Sequence, residues 1–117
     1  MELKRAVRRL RTPVQELDRE QLTGFCDGCG LTPMTDIVVR TQVRVGGEVR
    51  SVRVVPRAGA PALEVAITDG RGTTTAVFLG RRKIPGIAPG RKVAIEGVVG
   101  QNGKRYLIFN PLYTLFP

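Results

Sequence analysis

Apolar positions along this chain follow two different periods. Over the first 24 residues, Leu3, Val7, Leu10, Val14 and Leu17 recur at steps of four and three, the spacing that gathers side chains on one stripe of an α-helix. Thr12-Pro13 interrupts the stripe with an N-cap residue before a proline at a first helical position, and Gly24 is placed to stop it. Two short helices, or one kinked helix, are expected. Their stripe suits a cover over the end of a β-barrel or a contact with another chain. Residues 24–39, "GFCDGCGLTPMTDIVV", carry Gly, Thr, Pro and Asp and read as a linker.

From Arg40 the period falls to two, and five strand-like runs follow. In the first, Thr41 to Val55, Val43, Val45, Gly47, Val49 and Ser51 share one face while Gln42, Arg44, Glu48 and Arg50 share the other. Gly46-Gly47 marks a bulge or bend, and Val52-Arg53-Val54 implies a change of face. After a turn at Pro56–Pro61, "ALEVAIT" points Leu63, Val65 and Ile67 inward and Glu64, Ala66 and Thr68 outward, before a tight turn at Asp69-Gly70-Arg71-Gly72. The third run is Thr73 to Leu79. Two prolines in "GRRKIPGIAPG" forbid a long helix before the fourth run, Lys92 to Val99. A hairpin turn at Gln101-Asn102-Gly103 leads into "KRYLIFN", with "LYTLF" as a continuation.

With 117 residues the chain fits one fold plus appendages. The expected division is a helical extension and linker over 1–39 and a β domain over 40–117. No apolar run reaches the roughly 18 residues of a membrane span, and "MELKRAVRRLRTPV" lacks the apolar core of a signal peptide, so a cytoplasmic location is expected. The chain has no histidine, which removes Ser-His-Asp triads, Cys-His dyads and imidazole ligation. Isolated carboxylates and the lack of a phosphate-cradling loop before a helix also argue against an enzyme.

Charge sharpens this picture because it is unevenly placed. Residues 1–39 hold six basic and six acidic residues, whereas residues 40–117 hold thirteen Lys or Arg against four acids, the whole of the +9 excess. A polyanion is the natural partner of such a region.

Strand order, the Gly-bent first strand and the irregular third-to-fourth link together suggest a small closed barrel. The segments "VRVGGEVRSVRV", "LEVAITDGRG" and "APGRKVAIEGVVGQNGKRYLI" resemble the OB-fold nucleic-acid-binding family that includes the anticodon-binding domains of class II aminoacyl-tRNA synthetases and the wedge domain of the RecG helicase. The likeness runs from Arg40 to Leu115. It implies a mainly β chain, a five-stranded OB-fold barrel with a short N-terminal helical extension, whose ligand crosses the outer face of strands two and three. By that resemblance Arg53 contacts nucleic acid and Thr75 reads bases, while Glu64 stands where relatives place a stacking aromatic.

The expected function is therefore non-enzymatic binding of single-stranded or junction DNA or RNA with low sequence specificity. The alternation leaves Arg44, Arg50 and Arg53 available to phosphate. Arg57 and Arg71 lie in flanking loops, Arg81, Arg82 and Lys83 on the connector, and Lys104 and Arg105 beside the last hairpin. Tyr106 and Tyr113 are open between stacking and core, and Phe78 and Phe109 are assigned to the core. The alternative is a protein-interaction adaptor, or a homodimer, using the barrel and the N-terminal stripe. Cys26-Asp27-Gly28-Cys29 offers two thiols and no histidine, short of the four ligands of structural zinc and outside the strand-to-helix setting of a redox motif. The thiols are read as incidental, with no metal or cofactor expected. A metal shared across a dimer and a redox pair are the other readings.

Overall fold

The computed structural model describes residues 16–117; the stripe positions Leu3 to Val14 and the expected break at Thr12-Pro13 lie outside them. A helix, α1, covers residues 16–28, and a 3-10 turn spans Met34–Asp36. Six strands follow: β1 (Gln42–Arg57), β2 (Ala60–Thr68), β3 (Thr73–Leu79), β4 (Lys92–Asn102), β5 (Arg105–Phe109) and β6 (Leu112–Leu115). They form one mainly antiparallel sheet in the order β1-β2-β3-β5-β4-β6, with β3 and β5 parallel and a further β1–β4 pairing that links the first five into a ring. The expected count of five strands is corrected by β6. Asn110, at φ 48°, breaks the last run, and the chain resumes pairing with β4 through Leu112–Leu115.

β1 serves two partners. Its Gln42–Glu48 half pairs with β4 and its Glu48–Arg57 half pairs with β2. Gly46 and Gly47 make this crossing point feasible. A Cβ on Gly46 would strike the Val93 carbonyl and one on Gly47 the Thr68 carbonyl, so both neighbouring strands approach the backbone at close range. Just beyond, the register shifts between Val49 and Ser51. The change of face thus comes before Ser51 and not after it as expected: Val49 and Val52 both turn toward the core, while Ser51, expected inward with Val49, is exposed on the outer face beside Ala66. That core joins Val43, Val45, Leu63, Val65, Ile67, Phe78, Val93, Ile95 and Ile108, and is capped by Met34, Ile37, Ile84 and Ile87. Ile84 and Ile87 explain the proline-rich connector. It stays irregular but drives two aliphatic side chains into the interior.

Two turns are tighter than expected. The first hairpin turns on Ala58 and Gly59 alone, both at positive φ, with Pro56 and Pro61 already paired in the ladder. The β4–β5 hairpin turns on Gly103 and Lys104, because Asn102 pairs with Arg105.

The N-terminal side needs a larger correction. Gly24 does not end α1, which runs on to residue 28. It stops where Gly30 takes φ 70°, with Leu31 N–H donating to the Cys26 carbonyl and Gly30 N–H to the Asp27 carbonyl, the paired bonds of a Schellman cap. The expected linker is consequently packed structure. Leu22, Cys26 and Leu31 form a buried cluster with Ala94 of β4, flanked by Phe25, Cys29 and Phe116. A hydrophobic contact between Leu31 and the last helical turn commonly accompanies this cap, and it ties α1 to the sheet.

Candidate nucleic-acid interface

The outer face of β1, β2, β3 and β5 is organised in rows. One register row reads Arg53–Glu64–Val77–Phe109, and the next Ser51–Ala66–Thr75–Leu107. Ala62, Val77 and Leu107 are buried together on this face, giving it an apolar floor beneath the charged side chains.

Glu64 is the centre of the charged part. Alternation along β2 turns it outward, yet its side chain is only 5% exposed because arginines cover it. Arg105 Nη2 donates to Oε1 at 2.9 Å, Arg57 Nη2 to Oε2 at 3.2 Å, and Arg53 Nη2 to Oε1 at 3.5 Å. Burial acts to raise the Glu64 pKa, but the hydrogen bonds and charges of Arg105 and Arg57 outweigh it and hold the carboxyl below its ordinary value. The carboxylate thus stays ionised and fixes three guanidinium groups, whose side chains remain 66% (Arg53), 31% (Arg57) and 46% (Arg105) exposed. Arg57 also stacks on the ring of Phe109, 5.3 Å from its centroid, and among the described residues its buried Nε has no hydrogen-bond partner.

Phe109 therefore corrects the expectation of a core residue. It is 46% exposed and lies at the end of the charged row, because its register with Val77 places it on the outer face while Ile108 fills the core. Phe78 is in the core as expected. Tyr106 turns inward and packs against that core, since it alternates with the outward Arg105 and Leu107, so its ring is no stacking platform on the outer face. Tyr113 is half exposed and meets Phe78 edge to face.

The other candidate residues are dispersed. Thr75 is buried in the second row, between Ala66 and Leu107. Arg44 is exposed on β1 opposite Glu96 of β4. Arg81, Arg82 and Lys83 are exposed on the β3–β4 connector, and Lys104 on the last hairpin. Arg50, at the bulge, and Arg71, in the β2–β3 turn, line a cleft beside α1, away from the Glu64 cluster. Arg71 is held there by Asp27 through two hydrogen bonds of 2.7 and 3.0 Å. This pairing lowers the Asp27 pKa and raises that of Arg71.

The sequence pattern does not reveal the role of Glu64, which reads there only as a lost aromatic, or the exposure of Phe109. A lone acid on the outward face of an otherwise uncharged strand was the available signal for the first. The second had none, because the outward side of "YLIF" depends on register.

The cysteines sit on the last turn of α1 and its cap. Cys26 is buried, its thiol 3.5 Å from the Gly46 carbonyl, and its pKa is raised to about 11, first by burial and then by nearby acids led by Asp69. A thiol so disposed is a poor nucleophile. Cys29 is half-buried, and both thiols are free. Among the described residues no group of three or more Cys, His, Asp or Glu is placed to hold a metal ion, and no helix is long and apolar enough to cross a membrane. No protein-family model and no curated protein matches the chain by sequence.

Proposed function

We propose that the protein is a non-enzymatic OB-fold module that binds single-stranded nucleic acid with low sequence preference along the outer face of β2 and β3. The supporting fold features are the ring order β1-β2-β3-β5-β4, the long β1 shared between two partners, and the irregular β3–β4 link. They support reading the ring as a small Greek-key barrel.

One observation carries the functional reading: three arginines converge on a single buried glutamate. Each guanidinium presents about five N–H donors, whereas a carboxylate offers about four lone-pair sites. Most donors therefore remain for an external acceptor, and the cluster retains net positive charge. Guanidiniums already fixed in place lose less entropy on meeting phosphate than mobile lysines would. Phe109, exposed beside Arg57, supplies a flat apolar surface for a base. The Glu64 carboxylate is occupied by its arginines and is not offered as a general base.

Titration of labelled single-stranded oligonucleotides over a range of salt tests this. About four phosphate contacts would give a slope of log affinity against log salt near -3, and Arg53→Ala should reduce its magnitude by about 0.7. Binding without salt dependence overturns the proposal. The competing reading, a protein adaptor, is favoured by the exposed Leu17 on α1 and Leu112 on β6. It expects partner capture that survives loss of Arg53.

A further inference from the structure

The outer face does not end at the Glu64 cluster. Along β2 it passes Ala66 and reaches Thr68, which pairs with Glu48 of β1 and Thr73 of β3. There it opens into a cleft of about 970 Å3 whose far wall is α1. At about 3.3 Å per residue, Thr68 lies roughly 13 Å along the strand from Glu64. The intervening row, Ser51–Ala66–Thr75, carries only small uncharged side chains.

The cleft is polar and predominantly cationic. Arg19, Arg50, Arg71 and Lys92 line it, against the carboxylates of Asp18 and Glu48. Its geometry is set by a buried acid. Asp69 accepts backbone N–H bonds from Arg71 and Gly72 through Oδ1 and from Met34 through Oδ2, at 2.8 to 3.0 Å, while Thr23 of α1 donates to the Asp69 carbonyl. The turn that presents Arg71 is thereby fastened to both the helix and the 3-10 segment. At the cleft wall, Lys92 Nζ lies 5.5 Å from the centroid of the Phe25 ring. A cation beside an aromatic ring therefore occurs at each end of the track, Arg57 with Phe109 and Lys92 with Phe25.

We infer that the α1-walled cleft is a second phosphate-binding segment, occupied by the same nucleic-acid strand that crosses the Glu64 cluster, so that the site has two halves joined by the Ser51–Ala66–Thr75 floor. The inference rests on the nucleic-acid reading above. Two cationic ends with aromatic neighbours and an uncharged middle suit a chain that alternates phosphates with flat bases. An acidic peptide would use the charges but not the rings. Asp27 competes with phosphate for Arg71, so it moderates affinity at this end.

The experiment compares deoxythymidine oligomers of about 4 and about 12 nucleotides, both within the roughly 4 to 16 nucleotides covered by one such module, by fluorescence anisotropy. In the Arg50→Ala/Lys92→Ala protein the longer oligomer should bind about tenfold more weakly, with a salt slope shallower by about 1.4 for two lost phosphate contacts, while the shorter binds as before. Asp27→Asn, which acts in the opposite direction and removes no packing, should strengthen binding of the longer oligomer only. Unchanged binding of the longer oligomer in these variants, or equal changes at both lengths, overturns the two-part site and leaves the parent reading intact. Wild-type protein that binds neither oligomer overturns the parent reading itself. Displacement of the longer oligomer by polyglutamate as readily as by unlabelled oligomer assigns the cleft to acidic peptide instead.

Discussion

Arg105 donates to Glu64 at 2.9 Å although their strands are not neighbours: β3 lies between β2 and β5. This ion pair therefore fastens three strands across one face, and Arg53 extends it to β1. Glu64→Gln should remove the charge that holds three guanidiniums together. A loss of about 1 to 3 kcal/mol is expected in urea unfolding at neutral pH, discounted from a fully buried pair because the arginines are partly in water.

The pH dependence has a defined sign. A carboxyl whose folded pKa is depressed contributes stability that is present above its unfolded value, 4.5 here, and is lost as pH falls through the lower folded value. Thermal melts between neutral pH and strong acid should show this acid limb in wild type and a flatter one in Glu64→Gln. Parallel acid limbs in both would contradict the role assigned to Glu64.

Phe109→Ala should weaken oligonucleotide binding by about 1 to 3 kcal/mol if the ring stacks on a base. Its effect on stability should be smaller than that of a core aromatic, because the ring is 46% exposed. Phe109→Trp should restore binding. Equal affinity of wild type and Phe109→Ala in anisotropy titrations would remove stacking from the account.

The two thiols should differ in reactivity. In the native state a maleimide should modify Cys29 and spare Cys26, which is buried and titrates at about 11; denaturation should expose both. Mass spectrometry of digested protein reads the site directly. Because the folded pKa of Cys26 is raised from 9.0, its contribution to stability is full below pH 9 and declines as pH rises toward 11. Cys26→Ala should flatten that alkaline decline.

Gly47→Ala should destabilise the fold by about 3 kcal/mol or more, since a Cβ would meet the Thr68 carbonyl where φ is 151°. Gly59→Ala serves as the comparison. It has positive φ but open space around it, so only backbone strain applies, about 1 kcal/mol. Equilibrium urea unfolding of the two variants measures the difference, and equal losses would mean that steric approach at the strand crossing is unimportant.

Strand positions were legible in the chain because alternation of valines and isoleucines with polar residues is a local signal, and Leu63, Val65 and Ile67 lie inward as their spacing required. The Gly46-Gly47 bend and the existence of a face change in β1 were legible for the same reason, each being a break in a short-range pattern, although the bulge falls before Ser51 and the pattern put the change after it. Net charge, too, is a property of composition alone. Other features depended on residues far apart in sequence. Gly24 reads as a stop by propensity, but packing of Leu22, Cys26 and Leu31 on Ala94 offsets the cost of a helical glycine and carries α1 onward. Glu64 became the centre of a cluster, and Phe109 an exposed ring, only when the β3–β5 pairing brought Phe109 beside Val77 and Arg105 within reach of Glu64. A local pattern tells which side chains leave the core; which of them meet outside it is decided by strand order and register, and these are set by the whole chain at once.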